Sequence, residues 1–307
     1  MSNPRIVAIA QTLAILVLMS VGTVLSKLAL RDVPPLLFTA LTLLVGMVTM
    51  AVYTFVVRRE RVPRGLGRPI WVSIAVIGIC NFVISRLAQN IALGRLPVTT
   101  STYLTNFIGF ITMGLSIFML RESPTVFQVM GAAIAFAGLR VFFDVAPSSY
   151  ELSGMLLILV GITAVAYTNN SARKLALQAG DRVSNTLVST IALLVGGGIT
   201  ALIGLAASWP LPAIGLSSWL FILYNGTVMV ALGLTVWNHV LRTLRSYEAS
   251  ILGASTVIWT SLLAVIFLGE HLAWNQLAGM ALMVAGLALV QVRARWGALA
   301  AWRRGAG

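Results

Sequence analysis

Charge is what this sequence has least of. Only 9% of its 307 residues are charged, where a soluble domain carries about a quarter. Acidic side chains are the scarcer kind: eight, against 21 Lys and Arg. Cys80 is the single cysteine, which excludes an intramolecular disulfide and any cysteine-based metal site. The only histidines, His239 and His271, are too few to build a metal centre. No metal and no cofactor is expected. There is no His-Glu-x-x-His run, no Gly-x-Ser-x-Gly elbow and no pair of mid-segment carboxylates, so an enzyme is not expected either.

Hydrophobic residues fill the space that charge leaves, at 59% of the chain and a mean hydropathy of +0.95. They fall in blocks long enough to cross a bilayer, which takes about 20 residues per helix. Charge, Pro and Gly delimit ten such segments: 5–30, 36–57, 69–92, 98–120, 124–143, 152–177, 184–207, 216–241, 246–268 and 272–292. The runs are continuous rather than alternating, which excludes a porin-like barrel. The expected fold class is therefore all-α, a polytopic membrane protein with ten transmembrane helices. The first segment is too long for a signal-peptide core and is kept as a helix. Several prolines (Pro34, Pro35, Pro69, Pro97, Pro124, Pro212) sit at or before segment starts, where a missing N–H costs least. None falls clearly in mid-span, so a broken helix would need glycine, with Gly196-Gly197-Gly198 the obvious place.

The net charge of +13 does not point to nucleic acid, because the basic residues cluster in short connections. With the N-terminus inside, 16 Lys and Arg fall on cytoplasmic segments and five on the other side. That bias places both termini in the cytoplasm. Trp71, Trp209, Trp219, Trp274 and Trp296 lie near segment ends, as in an interfacial belt.

The chain also repeats itself. Read from Leu120 it runs LRESPTVFQVMGAAIAFAGL, and from Leu268, 148 residues later, LGEHLAWNQLAGMALMVAGL. Glu122 meets Glu270, Gln128 meets Gln276, Gly131 meets Gly279 and Gly138 meets Gly286. At the same offset Gly78 meets Gly226 and Asn90 meets Asn238. Near the start, at an offset one residue shorter, Lys27-Leu28-Ala29-Leu30 recurs as Lys174-Leu175-Ala176-Leu177. Five segments per copy is an odd number, so the second copy enters the bilayer from the opposite side. The expectation is two inverted five-helix repeats, residues 1–147 and 148–307.

Phe118-Met119-Leu120-Arg121-Glu122 with Gly131 and Gly138, and Phe267-Leu268-Gly269-Glu270 with Gly279 and Gly286, resemble the drug/metabolite transporter superfamily, EamA-type branch. The resemblance covers nearly the whole chain. It implies a small-molecule permease of the inner membrane that works by alternating access, with a cavity between the halves. The implied partners are a small-molecule substrate and the lipid bilayer, with no nucleic acid; the assembly is a monomer or homodimer.

Candidate site residues follow from polar groups inside apolar segments. Arg86 lies in the third segment, where an unpaired guanidinium costs several kcal/mol (about 2.5–3.5 on insertion scales). It either snorkels to the surface or anchors a substrate carboxylate or phosphate, with Asn81, Gln89 and Asn90 beside it. Asn81, Ser85 and Gln89 share a face by their four-residue spacing. The fourth segment opens on a run of hydroxyl residues, and there Tyr103, Asn106 and Phe107 are candidate cavity residues. Tyr167, Tyr224, Trp237, Asn238 and Trp259 are their counterparts in the second half. Two symmetry-related gates are expected, one around Arg86, Gln89, Asn90, Thr99 and Tyr103, the other around Trp237, Asn238, His239, Tyr247 and Glu248.

Every acidic residue lies at a segment end or in a connection. A proton-driven exporter of organic cations would keep a carboxylate at mid-depth. Its absence favours an amino acid or related zwitterion or anion as cargo. The alternatives are efflux of a drug or organic cation through Glu248, and a passive channel.

Overall fold

The computed structural model describes the backbone of residues 4–63, 65–121, 124–143, 148–179, 183–236, 253 and 255–304; side chains are described within those stretches from 11 to 175 and from 183 to 290. Among the described residues every regular element is helical. Seven helices are long and apolar enough to cross a membrane: Gln11–Ala29, Pro35–Val57, Arg68–Arg95, Val98–Met119, Ser149–Leu175, Asn185–Ala207 and Leu216–Val236. Three shorter apolar helices accompany them, Val126–Phe142, Thr256–Leu268 and Trp274–Val290. The protein is a multi-pass membrane protein, and the described sequence boundaries are met to within a few residues except at the last helix, which runs on to Arg304 where the segment was expected to end at 292.

We number the α-helices in chain order: α1 Pro4–Ala29, α2 Pro35–Ala51, α3 Arg68–Gly78, α4 Arg86–Arg95, α5 Val98–Thr105, α6 Ile108–Met119, α7 Val126–Phe142, α8 Ser149–Ala179, α9 Asn185–Ala207, α10 Leu216–Tyr224, α11 Thr256–Leu268 and α12 Trp274–Arg304. Wider π-helical turns extend three of them: Val52–Val57 after α2, Ile79–Ser85 between α3 and α4, and Asn225–Leu232 after α10. The last two occupy nearly equivalent places in the sequence repeat, since Ile79–Ser85 advanced by 148 covers 227–233.

The glycines explain how the helices approach. A Cβ at Gly131 would lie 2.5 Å from the Gly286 carbonyl oxygen, and one at Gly138 would lie 2.9 Å from that of Gly279. The four repeated glycines thus face one another across the α7–α12 contact, the most extensive helix pair among the described residues. Gly78 and Gly226, themselves repeat mates, do the same elsewhere: Gly78 packs backbone to backbone on Gly196 of α9, and Gly226 packs on Val45 and Thr42 of α2. Between membrane helices there is little hydrophobic driving force, so such small-residue contacts hold the bundle together.

Gly196-Gly197-Gly198, the candidate place for a glycine break, is not broken. α9 runs through these residues without interruption, because Gly196 is used for the close approach to Gly78. The break comes instead at Asn106-Phe107, between α5 and α6. There the Asn106 amide donates to the Thr102 carbonyl at 2.9 Å, and the Phe107 N–H bonds three residues back, to Leu104 at 3.1 Å. A side chain that takes a helix carbonyl competes with the ladder and tightens the turn. The matching glutamines cap equivalent helices: Gln128 accepts from Thr125 N–H at 2.9 Å at the start of α7, and Gln276 accepts from Ala273 N–H at 3.1 Å at the start of α12.

Candidate functional site

A cavity of about 480 Å³ lies inside the bundle. α1, α2 and α4 to α6 supply most of its wall, and Asn169 of α8, Asn225 and Met229 of the π-helical turn after α10, and Thr256 and Thr260 of α11 complete it. On α4 the lining residues are Arg86, Gln89, Asn90 and Leu93. Their spacing of three, four and seven is one face of an α-helix. The π-helical turn just before Arg86 sets which way that face looks.

Arg86 is the one charged side chain among the described lining residues. No described residue gives it an ion pair or a hydrogen bond. Its neighbours are polar and already oriented. Asn90 donates from Nδ2 to the Thr39 hydroxyl at 2.8 Å, and that hydroxyl in turn donates to the Pro35 carbonyl at 2.6 Å. Asn106 donates from Nδ2 to the Thr102 carbonyl. Because each amide nitrogen is committed as a donor, each amide oxygen is left as an acceptor. On the far wall Ser26 donates to Asn225 Oδ1 at 2.9 Å, joining α1 to the second half of the chain. The described wall therefore offers one cationic fork, several fixed amide oxygens and a ring of hydroxyls, with no carboxylate.

Arg86, Gln89, Asn90 and Asn106 come together on this cavity; the other described site candidates lie elsewhere. Asn81 sits inside the π-helical turn Ile79–Ser85, whose wider pitch breaks the four-residue register that would have put it beside Gln89. Tyr103 is fully buried away from the cavity, stacked on Phe142 at 4.0 Å with its hydroxyl donating to Gly279 O at 3.4 Å. Phe107 packs against Tyr103, Phe110 and Phe136 in the same aromatic cluster. Tyr167 lines a separate open apolar groove with Cys80 and Ile84. Tyr224 donates to the Leu18 carbonyl at 3.0 Å, and it is the next residue, Asn225, that reaches the cavity. Trp259 is outside the lining, its indole N–H buried without a partner among the described residues, while Thr256 and Thr260 beside it face inward. Thr99 is buried at the start of α5, where its N–H donates to Glu270 at 3.1 Å. Trp237, Asn238, His239, Tyr247 and Glu248 lie outside the described residues.

Sequence reasoning passed over Ser20, Thr23 and Ser26 on α1 and Thr39 and Thr42 on α2, all of which line the cavity. Their three-to-four-residue spacing within apolar helices was the available signal. Among the described residues no cluster of three His, Cys, Asp or Glu exists that could hold a metal.

The EamA-like transporter family matches the chain twice, over residues 6–144 and 152–292. The chain belongs to that family. As an EamA-like transporter it is similar to the uncharacterized transporter YvbV of Bacillus subtilis, 28% identical over 93% of this chain and 92% of that protein. It is also similar to a Salmonella typhimurium protein named a probable amino-acid metabolite efflux pump, 26% identical over 90% and 91% of the two chains. A solved structure, 21% identical, superposes with a TM-score of 0.66 over 94% of this chain and 97% of its own, which shows that the EamA-like fold is shared. Proteins of this family are transporters, not enzymes.

Proposed function

We propose that this EamA-like transporter is a secondary-active permease for a small organic metabolite, an amino acid or related zwitterion or anion, moved across the inner membrane by alternating access. The observation that carries this reading is Arg86: a guanidinium within an apolar helix, facing a cavity and left without a partner among the described residues. A buried charge of that kind is expensive unless something supplies its counter-charge, and a cargo carboxylate does so in the fork geometry Arg favours. The free amide oxygens of Asn90 and Asn106 suit the ammonium of the same molecule. One relative's printed name points to amino-acid metabolites and to export. Organic-cation efflux is the weaker reading, because no described acidic residue lines the cavity.

In this reading residues 1–147 and 148–307 are two inverted repeats, both termini are cytoplasmic, and the halves rock about the cavity. Counterflow in proteoliposomes tests it. Unlabelled amino acids on the far side should accelerate uptake of a labelled one, as a carrier requires. Acceleration by organic cations alone would overturn the cargo class, and equal flux with and without trans cargo would overturn the carrier mechanism.

A further inference from the structure

The turn that joins α4 to α5 is held by side chains from elsewhere in the chain. Glu270, just beyond the C-terminus of α11, accepts the Val98 N–H on Oε1 at 2.6 Å and the Thr99 N–H on Oε2 at 3.1 Å. These belong to the first turn of α5, whose N–H groups have no partner within the helix. The α5 N-cap is Pro97, which has no side-chain acceptor of its own. At the other side of the turn Lys27 of α1 donates to the carbonyls of Leu93 at 2.7 Å and Leu96 at 2.8 Å, at the end of α4. The signs suit both helix ends, an anion at the N-terminus and a cation at the C-terminus. The Glu270 charge also acts on Lys27. Arg95 adds a strap to α8, donating to the Ser153 hydroxyl at 2.9 Å.

α4 and α5, which this turn joins, carry Arg86, Asn90, Ser101 and Thr105 of the cavity wall. The cap therefore exists only while α11 lies against α5. Separating them breaks both Glu270 bonds together. The sequence repeat supplies a second set: Glu122 matches Glu270, Ser246 and Tyr247 match Val98 and Thr99, and Lys174 matches Lys27. Glu122, Ser246 and Tyr247 lie outside the described residues; Lys174 is described, and it is exposed where Lys27 is fixed by carbonyls.

We propose that Glu270 and Lys27 are positioning residues of the transport cycle. They form a charged latch that closes the α4–α5 turn over one end of the cavity. Because it is made by charges at helix termini, the latch opens into water, and its groups are rehydrated rather than stranded.

The test uses a Cys80→Ala background with one cysteine in the cavity wall, Thr105→Cys, labelled by a membrane-impermeant maleimide from each side of oriented vesicles. Glu270→Gln should raise labelling from the Lys27 face roughly ten-fold, as expected on losing a charged hydrogen bond from one of two states. Labelling from the opposite face should not rise. A second measurement does not depend on that variant: Pro97→Cys with His271→Cys, bridged by a cleavable bifunctional thiol reagent, should stop counterflow until the bridge is cut. A rise confined to the Lys27 face, with reversible arrest, supports the latch. Changes that are equal on both faces, no change, or full transport through the bridged protein would overturn it. Labelling needs no cargo, so its failure is distinct from failure of the cargo assignment.

Discussion

Gly131 of α7 and Gly286 of α12 stand so close that a Cβ on either would lie 2.5 Å from the other's carbonyl oxygen. The obstacle is backbone on both sides, so neither helix can yield by a rotamer change. Gly131→Leu should destabilise the folded protein by about 1–3 kcal/mol or more, the usual cost of overpacking. Thermal unfolding in detergent measures this, and an unchanged melting temperature would refute the close contact. Gly198→Leu serves as the control, since nothing lies within 4 Å of a Cβ there.

Arg86 gives the second prediction. Arg86→Ala should weaken binding of an amino-acid cargo by roughly 10- to 100-fold, the worth of one charged hydrogen-bonded partner. Arg86→Lys should recover part of that, since the charge returns without the planar fork. Isothermal titration with cargo and with its methyl ester separates charge from shape. Equal affinity for acid and ester in the unaltered protein would show that Arg86 does not read a carboxylate.

Asn106→Asp places a carboxylate in a cavity whose one described charge is Arg86. The new anion should pair with the guanidinium and compete with the cargo for it. Anion binding should fall by about ten-fold or more, since like charges brought together cost several kcal/mol, while binding of organic cations should rise. If neither class changed, Asn106 would not face the bound molecule.

Tyr103 separates a packing role from a binding role. It is stacked on Phe142 at 4.0 Å and does not line the cavity. Tyr103→Phe should leave transport near its original rate, removing only a long hydrogen bond to Gly279. Tyr103→Ala should cost about 3–5 kcal/mol of stability through the void it opens. A Tyr103→Phe protein that folds normally but no longer transports would put Tyr103 at the cargo.

The second candidate gate was legible only as a set of residues, since 237–252 lie outside the described residues. The first gate shows why reading a site from sequence is uneven. Arg86, Gln89, Asn90 and Asn106 were found because polar groups in an apolar helix are costly and so stand out. Tyr103 and Phe107 were grouped with them because aromatic residues suit a cavity wall and an aromatic core equally well. Asn81 was misjudged for a different reason: a π-helical turn is a backbone event with no residue signature, and it rotates everything before it. Thr23, Ser26 and Thr39 were missed because a hydroxyl that bonds its own helix looks the same in sequence as one that faces a cavity.

By itself the sequence determined the all-helical membrane character, most of the places where helices begin and end, and the twofold repetition, because hydrophobic length and charge placement act locally along the chain. It also exposed Glu122 and Glu270 as a matched pair, but not what either touches. Only the tertiary structure decided that Glu270 caps a helix 171–172 residues away, that the repeated glycines pair with each other, and that Arg86 looks into a cavity whose described wall carries no carboxylate. These depend on which helix faces meet, and helix rotation is set by packing between distant segments and by the wide π-helical turns, neither of which has a period that a sequence can display.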